Sequence, residues 1–204
     1  DAAERGAEIL CRRRCVEAKR ANGLWHATLR PAGGGRERVV RARCLVNATG
    51  PWVSRFLTDN LRLPAVKRVR LVKGSHIVVR RLRDHRDPYI LQNSDRRVVF
   101  VIPYEQQYSL IGTTDLDYAD DPAGVEISGA EIDYLCRAVG RYFKDQPTPE
   151  RVFWSYAGVR PLYDDASSDV SAVTRDYVVD LDRSGDAPLL SVFGGKITTY
   201  RKLA

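Results

Sequence analysis

Short β-type runs, each closed by a polar turn, recur along most of this sequence, and that rhythm confines the chain to sheet-built folds. Residues 73–79, 89–92, 98–102 and 108–113 are apolar or alternating stretches of strand length, and turn-length gaps between such stretches predict an antiparallel sheet. Ser128-Gly129-Ala130-Glu131 then has the spacing of a capping box, in which the Ser hydroxyl and the Glu carboxylate satisfy the first free N–H groups of a helix. Ile132, Leu135, Cys136, Val139 and Phe143 follow at helical period, so one amphipathic helix should form a second layer against the sheet. Further strands are expected at 152–159, 176–182 and 189–193. Residues 7–29 read as strand, turn, strand about Asn22-Gly23, a hairpin signal, with a third strand at 38–42. Cys44-Leu45-Val46-Asn47 reads as a short buried strand fed by this meander. It ends at Ala48-Thr49-Gly50-Pro51-Trp52, where Gly50 permits a tight turn, Thr49 is a candidate cap, and Pro51 suits the first turn of a helix running to about residue 61.

Composition excludes several classes. The 204 residues carry 33 Lys and Arg against 26 Asp and Glu, a net charge of +7, with 44% hydrophobic residues, which is neither disordered, collagen-like nor coiled-coil. No apolar run approaches the ~18 residues of a membrane span. The first residues lack the basic start and apolar core of a signal peptide. Methionine is absent altogether, so the chain is expected to be a fragment or processed product of a longer protein. Four cysteines are too few and too scattered for a disulfide framework, which points to a reducing compartment. Cys11 and Cys15, placed on one strand, would stand ~13 Å apart, beyond bridging distance. The surplus arginines cluster at 12–14, 80–86 and 96–97; such clusters form a solvated face, attract an anionic membrane surface or acidic small molecules, or, last, bind nucleic acid. No aromatic interleaving of an RNA-binding kind accompanies them.

Candidate chemistry concentrates at the last strand-to-helix junction. Leu189–Phe193 delivers Gly194 and Gly195, whose bare backbone lets N–H groups approach a bound group at a helix N-terminus, and Lys196 adds a full positive charge. It is not a Walker loop, because Leu190 replaces the first required glycine and Ile197 the magnesium-binding hydroxyl; a plain turn is the competing reading. Gly33-Gly34-Gly35 joins two strands as a flexible connection. Asp115 to Glu126 imitates a calcium loop but lacks its glycine and one oxygen side chain, so no metal site is expected. His26 and His85 look incidental, whereas alternation puts His76 on the strand face shared with Gly74 and Val78, as a structural histidine or a functional one. Arg160, at the end of an apolar strand beside Gly158 and Pro161, either pairs with Asp164 or Asp165 or clamps an anion.

Taken in order, Val46-Asn47-Ala48-Thr49-Gly50-Pro51-Trp52, Lys73-Gly74-Ser75-His76, Ile111-Gly112-Thr113-Thr114-Asp115, Gly158-Val159-Arg160-Pro161-Leu162, Thr174-Arg175-Asp176-Tyr177 and Phe193-Gly194-Gly195-Lys196-Ile197-Thr198-Thr199-Tyr200-Arg201 resemble the FAD-dependent glycerol-3-phosphate dehydrogenases. The first 45 residues are similar to the β-meander of that family's flavin domain. The resemblance implies a mixed α+β and α/β architecture: part of a glutathione-reductase-like FAD-binding domain (1–62 and 187–204) interrupted by an antiparallel-sheet-plus-helix substrate domain (63–186). This portion would be the middle of the protein, with the Gly-rich pyrophosphate loop upstream and a helical domain downstream.

The implied reaction is oxidation of sn-glycerol 3-phosphate to dihydroxyacetone phosphate in glycerol metabolism, with hydride passing from C2 to flavin N5 and electrons to a membrane quinone. Arg160 and Lys196 would hold the anionic substrate and stabilise charge on the reduced flavin, while His76 orients the C2 hydroxyl or takes its proton. Gly194, Gly195, Lys196, Ile197 and Thr198 would face the flavin O2 edge; Asn47, Ala48, Thr49 and Gly50 would pass the adenosine and pyrophosphate half, and the backbone at Val16 would meet the adenine. The family reading further implies a cytoplasmic protein peripheral on the anionic inner face of the cell membrane, a homodimer at full length, and no nucleic-acid partner. An oxygen-reducing glycerophosphate oxidase shares these motifs. The alternative from another class is a noncatalytic basic module for membrane or nucleic acid.

Overall fold

The computed structural model describes residues 1–65, 67–84, 86–164 and 176–204. His85, Asp165 and the Thr174-Arg175 pair therefore lie outside the described residues. The chain forms two compact units, one of residues 1–69 with 177–194 and the other of residues 70–176 with 195–204.

In the first unit, β1 (Arg13–Ala21), β2 (Leu24–Pro31) and β3 (Arg38–Ala42) form an antiparallel meander. Asn22 and Gly23 have φ of 52° and 73°, the pair of left-handed residues that a two-residue hairpin needs to match strand twist. Between β1 and β2 the register slips at Cys15/Glu17, so Val16 stands unpaired as a bulge. Cys11 does not share this strand, contrary to the sequence expectation: β1 starts at Arg13, and the left-handed Arg12 (φ 54°) breaks the extended path before it. The next strand, β4 (Leu45–Asn47), follows the meander in sequence but joins another sheet. It pairs in parallel with β12 (Leu189–Gly194), which pairs antiparallel on its other edge with β11 (Tyr177–Asp182). After β4 the chain passes through a 3-10 turn (Gly50–Trp52), one α turn, α1 (Val53–Arg55), and a π-type turn (Phe56–Asn60).

Two side chains tie the meander to the approach to β12. The Arg20 guanidinium donates to the Ala187 carbonyl and to Asp182, both at 2.7 Å, and lies 4.6 Å over the Trp25 ring. Trp25, fully buried, donates its indole N–H to the Pro188 carbonyl at 2.8 Å. Arg20, helped by Ser184, holds the Asp182 carboxyl down at about 2.

The second unit is built on β5 (Val69–Arg80), β6 (Tyr89–Gln92), β7 (Val98–Tyr104), β8 (Tyr108–Gly112), the short β9 (Leu116–Asp117) and β10 (Val152–Tyr163). Its order is β10-β5-β8-β7-β6, with β9 on β5. The helix expected from the capping box is α2 (Gly129–Gly140). Leu135, Ala138 and Val139 pack on Ile77, Val79, Leu91, Val99, Val101 and Ile111 to form the buried core. Alternation along β7 buries Val99 and Val101 under α2 and leaves Phe100 and Ile102 exposed on the opposite face. The chain ends in a 3-10 turn (Ile197–Thr199) and a single α turn, α3 (Tyr200–Leu203).

Candidate active site

Opposite α2, the open face of the second unit carries a histidine, an arginine and three glycines that shape the space around them. His76 lies on β5, with Ile77 and Val79 directed to the core, so alternation sends His76 to the open face as expected. It pairs in register with Gly112 of β8, which in turn pairs with Phe100 and, one strand further, Ile90. A Cβ at Gly112 would overlap the imidazole ring. On its other side the ring stacks on Tyr156 of β10, centroids 4.8 Å apart and planes 5° off parallel. Burial first, and the nearby Arg160 charge second, push the His76 pKa below its ordinary 6.5, so the imidazole is neutral near pH 7.

Arg160, four residues along β10 from Tyr156, is the second member. Its Nη2 donates to Asp115 Oδ1 at 2.5 Å and to the Thr114 carbonyl at 3.0 Å. Among the described residues Asp115 is thus a carboxylate partner of Arg160, reached across the sheet. A Cβ at Gly74 would lie 2.6 Å from Thr113 Oγ1 and 2.7 Å from Arg160 Nη2, so the absence of a side chain at 74 makes room for the guanidinium. Gly158 is different. It sits between Tyr156 and Arg160 in sequence, exposed, with nothing within 4 Å of an added Cβ. A small polar molecule can therefore rest against bare backbone beside an aromatic-stacked neutral imidazole and a fixed cation. Exposed Trp154, Phe100 and Ile102 make the surrounding face apolar, which strengthens any charge–charge contact formed there once covered.

Beneath this face lies a polar cluster that sequence reasoning missed. Glu131 on α2 is only 3% exposed. Its carboxylate accepts from Ser75 Oγ at 2.7 Å, Thr114 Oγ1 at 2.8 Å, Ser128 N–H at 2.9 Å and Ser128 Oγ at 2.8 Å, and pairs with Lys73 at 2.6 Å. Burial opposes ionisation, but Lys73 and the three hydroxyl residues outweigh it and hold the carboxyl at about 2. The capping box was legible from spacing; its reach into the sheet was not, since Ser75 and Thr114 lie 56 and 17 residues away.

The other expected site residues lie elsewhere. Asn47 is fully buried and structural at its side chain: Nδ2 donates to the Val53 carbonyl at 3.0 Å, and Oδ1 accepts from Thr49 Oγ1 at 2.7 Å. Thr49 therefore does not cap the following turn, because its hydroxyl is turned to Asn47. Ala48 links the two, and Gly50 adopts φ 57° to start the 3-10 turn. The Val16 carbonyl accepts from Asn60 Nδ2 at 2.8 Å. Gly194 and Gly195 take φ of 76° and 91°, conformations that favour glycine. Lys196 occupies the N-cap of the closing turn without capping it through its side chain, and Ile197 is 89% exposed, followed by Thr198. Two left-handed glycines leading into a helical turn leave this stretch of backbone without Cβ shielding, which suits the close approach of a planar group such as the edge of an isoalloxazine ring. His76 and Arg160 are thus brought together in the second unit, to which Lys196 also belongs, whereas Val16, Asn47–Gly50 and Gly194 belong to the first.

The chain belongs to the FAD dependent oxidoreductase family (DAO), which matches residues 1–201. Among its relatives, the aerobic glycerol-3-phosphate dehydrogenase of Escherichia coli (strain K12) is 51% identical over 98% of this chain and 40% of that protein. The glycerol-3-phosphate dehydrogenase of Pseudomonas aeruginosa is 52% identical over 100% of this chain and 40% of its own length. The D-erythritol 1-phosphate dehydrogenase of Brucella abortus is 51% identical with the same coverage. The chain thus spans about 40% of the length of these relatives. The crystal structure of the Bacillus halodurans glycerol-3-phosphate dehydrogenase complexed with FAD superposes with a TM-score of 0.82 at 29% identity, covering 99% of this chain and 38% of that one. Glycine oxidase from Geobacillus kaustophilus shares the fold, with a TM-score of 0.66 at 19% identity over 97% of this chain and 46% of its own. No helix among the described residues is long and apolar enough to cross a membrane.

Proposed function

We propose that the protein containing this chain oxidises sn-glycerol 3-phosphate to dihydroxyacetone phosphate and passes the electrons to a membrane quinone. The observation that carries this reading is the neutral His76 beside the fixed Arg160 on an open apolar face. Oxidation of a secondary alcohol removes a hydride from C2 and a proton from the C2 hydroxyl. When bound, FAD supplies the acceptor for the hydride. The imidazole of His76 accepts a hydrogen bond from the hydroxyl and takes its proton as the ketone forms. Arg160 and Lys196 bind the phosphate, which orients C2 and excludes neutral polyols. Gly194, Gly195, Ile197 and Thr198 serve the flavin ring; Val16, Asn47, Ala48, Thr49 and Gly50 serve the adenosine and pyrophosphate half, with Asn47 acting by holding the turn. Residues 63–186 form the substrate domain, and residues 1–62 with 187–204 the flavin domain. The working protein is a homodimer on the anionic cytoplasmic face of the inner membrane, where its quinone resides.

Equal identity to a glycerol 3-phosphate and an erythritol 1-phosphate enzyme favours a second substrate of the same class, a longer polyol phosphate. Dye-linked turnover of the flavin-loaded protein with both phosphates, with a quinone analogue or oxygen as acceptor, tests the whole reading. Arg160→Ala and Lys196→Ala should each lower kcat/KM at least 100-fold while the flavin spectrum persists. Normal turnover by both variants would remove the site, and a preference for oxygen would replace the quinone.

A further inference from the structure

Glu131 accepts more donors than a helix cap requires. A capping box needs the carboxylate only for the Ser128 N–H, whereas here the same two oxygens also take Ser128 Oγ, Ser75 Oγ, Thr114 Oγ1 and Lys73. Lys73 and Ser75 belong to β5 and Thr114 to the link between β8 and β9, and each stands beside a residue of the site. Ser75 separates Gly74 from His76 on β5. Thr114 precedes Asp115, and it is the Thr114 carbonyl and the Asp115 carboxylate that hold Arg160. The Thr114 hydroxyl meanwhile accepts from the Ser75 N–H at 2.9 Å, tying β5 to the link between β8 and β9.

From this geometry we infer that Glu131 is a positioning residue for anionic substrate: from behind the sheet it fixes the Thr114 carbonyl and the Ser75 backbone, and through them the Arg160 guanidinium and the His76 ring. A buried carboxylate with five donors cannot shift without leaving several of them unpaired. Strand β5 and the β8–β9 link that it clamps are therefore locked at the residues next to the site. The inference rests on the proposed role of Arg160 in binding the substrate phosphate.

The test compares flavin-loaded full-length protein with Glu131→Gln, Thr114→Val and a stability control, Val139→Ala, in the same helix–sheet core but outside the polar cluster. Glutamine keeps the shape but offers an amide N–H to hydroxyls and an ammonium that already donate. Glu131→Gln should weaken calorimetrically measured binding of glycerol 3-phosphate and raise KM at least 10-fold, with flavin content retained and kcat changed less. Thr114→Val, which removes only the hydroxyl link, should show the same split and stands in should Glu131→Gln fail to fold. Val139→Ala should lower the unfolding midpoint yet leave KM within 2-fold. Equal KM shifts in all three, or none in Glu131→Gln and Thr114→Val while Arg160→Ala weakens binding, would overturn the positioning role. If Arg160→Ala itself binds substrate normally, the underlying assignment of the phosphate site falls instead.

Discussion

At positions 74, 112 and 158, whether a β-carbon has room decides what the site can hold. A methyl group at Gly74 would meet Thr113 Oγ1 and Arg160 Nη2, and one at Gly112 would meet the imidazole, while one at Gly158 would meet nothing. Gly74→Ala should therefore displace the guanidinium and raise KM roughly 10-fold or more, since about 1.4 kcal/mol is a tenfold effect. Gly158→Val should behave oppositely in stability: chemical denaturation should place it close to the native protein, while steady-state kinetics show a raised KM because its side chain fills the space offered to substrate. A Gly158→Val enzyme with unchanged KM would move the substrate off this face. His76 fixes the pH behaviour. With its pKa held below 6.5, kcat/KM should be flat near pH 7 and fall only as pH drops through that lowered value, and the acid limb should vanish in His76→Asn. Motif spacing picked out Gly158, His76 and Arg160 in the sequence. It gave no role to Asp115 or Tyr156, because a partner 45 residues away and a ring stacked from another strand leave no local periodic signal.

The helix α2 shows how one element serves both stability and the site. Its apolar stripe was readable from period alone, and Leu135→Ala should cost about 2–5 kcal/mol in urea unfolding because Leu135 is wholly buried. Its N-terminal end responds to pH. In the native state the Glu131 carboxyl stays ionised down to about 2, whereas in the unfolded chain it protonates near 4.5. Its contribution is then complete above pH 4.5 and is lost progressively as pH falls toward 2, because the unfolded state binds the proton first. Acid unfolding followed by circular dichroism should show this slope, and Glu131→Gln should flatten it. The meander and its Asn22-Gly23 hairpin were equally legible, since both follow from neighbours in the chain. The bulge at Val16 was not, because it depends on how β1 meets β2.

Across the chain, the sheet of β11, β12 and β4 joins residues 45–47 to 189–191 with more than 140 residues between them. Arg20 and Trp25 reinforce this closure through Ala187, Pro188 and Asp182. Arg20→Ala should lower unfolding free energy by about 2–3 kcal/mol, the scale of a lost charged hydrogen bond that leaves a partner unpaired, and a change under 0.5 kcal/mol would show that the tether is slack. By itself the sequence determined the hairpin of the meander, the short strands of the antiparallel sheet, the capped amphipathic helix and the order of the flavoenzyme motifs, because turn residues, alternation and helical period act over a few neighbouring positions. Tertiary structure decided the rest: that β4 leaves the meander for β12, that Thr49 turns to Asn47 instead of capping, that Asp115 holds Arg160, and that Glu131 clamps the sheet behind the site. Each of these is a contact between residues whose proximity exists only after the strands pair, and pairing over such separations is set by burial and hydrogen-bond satisfaction across the whole chain.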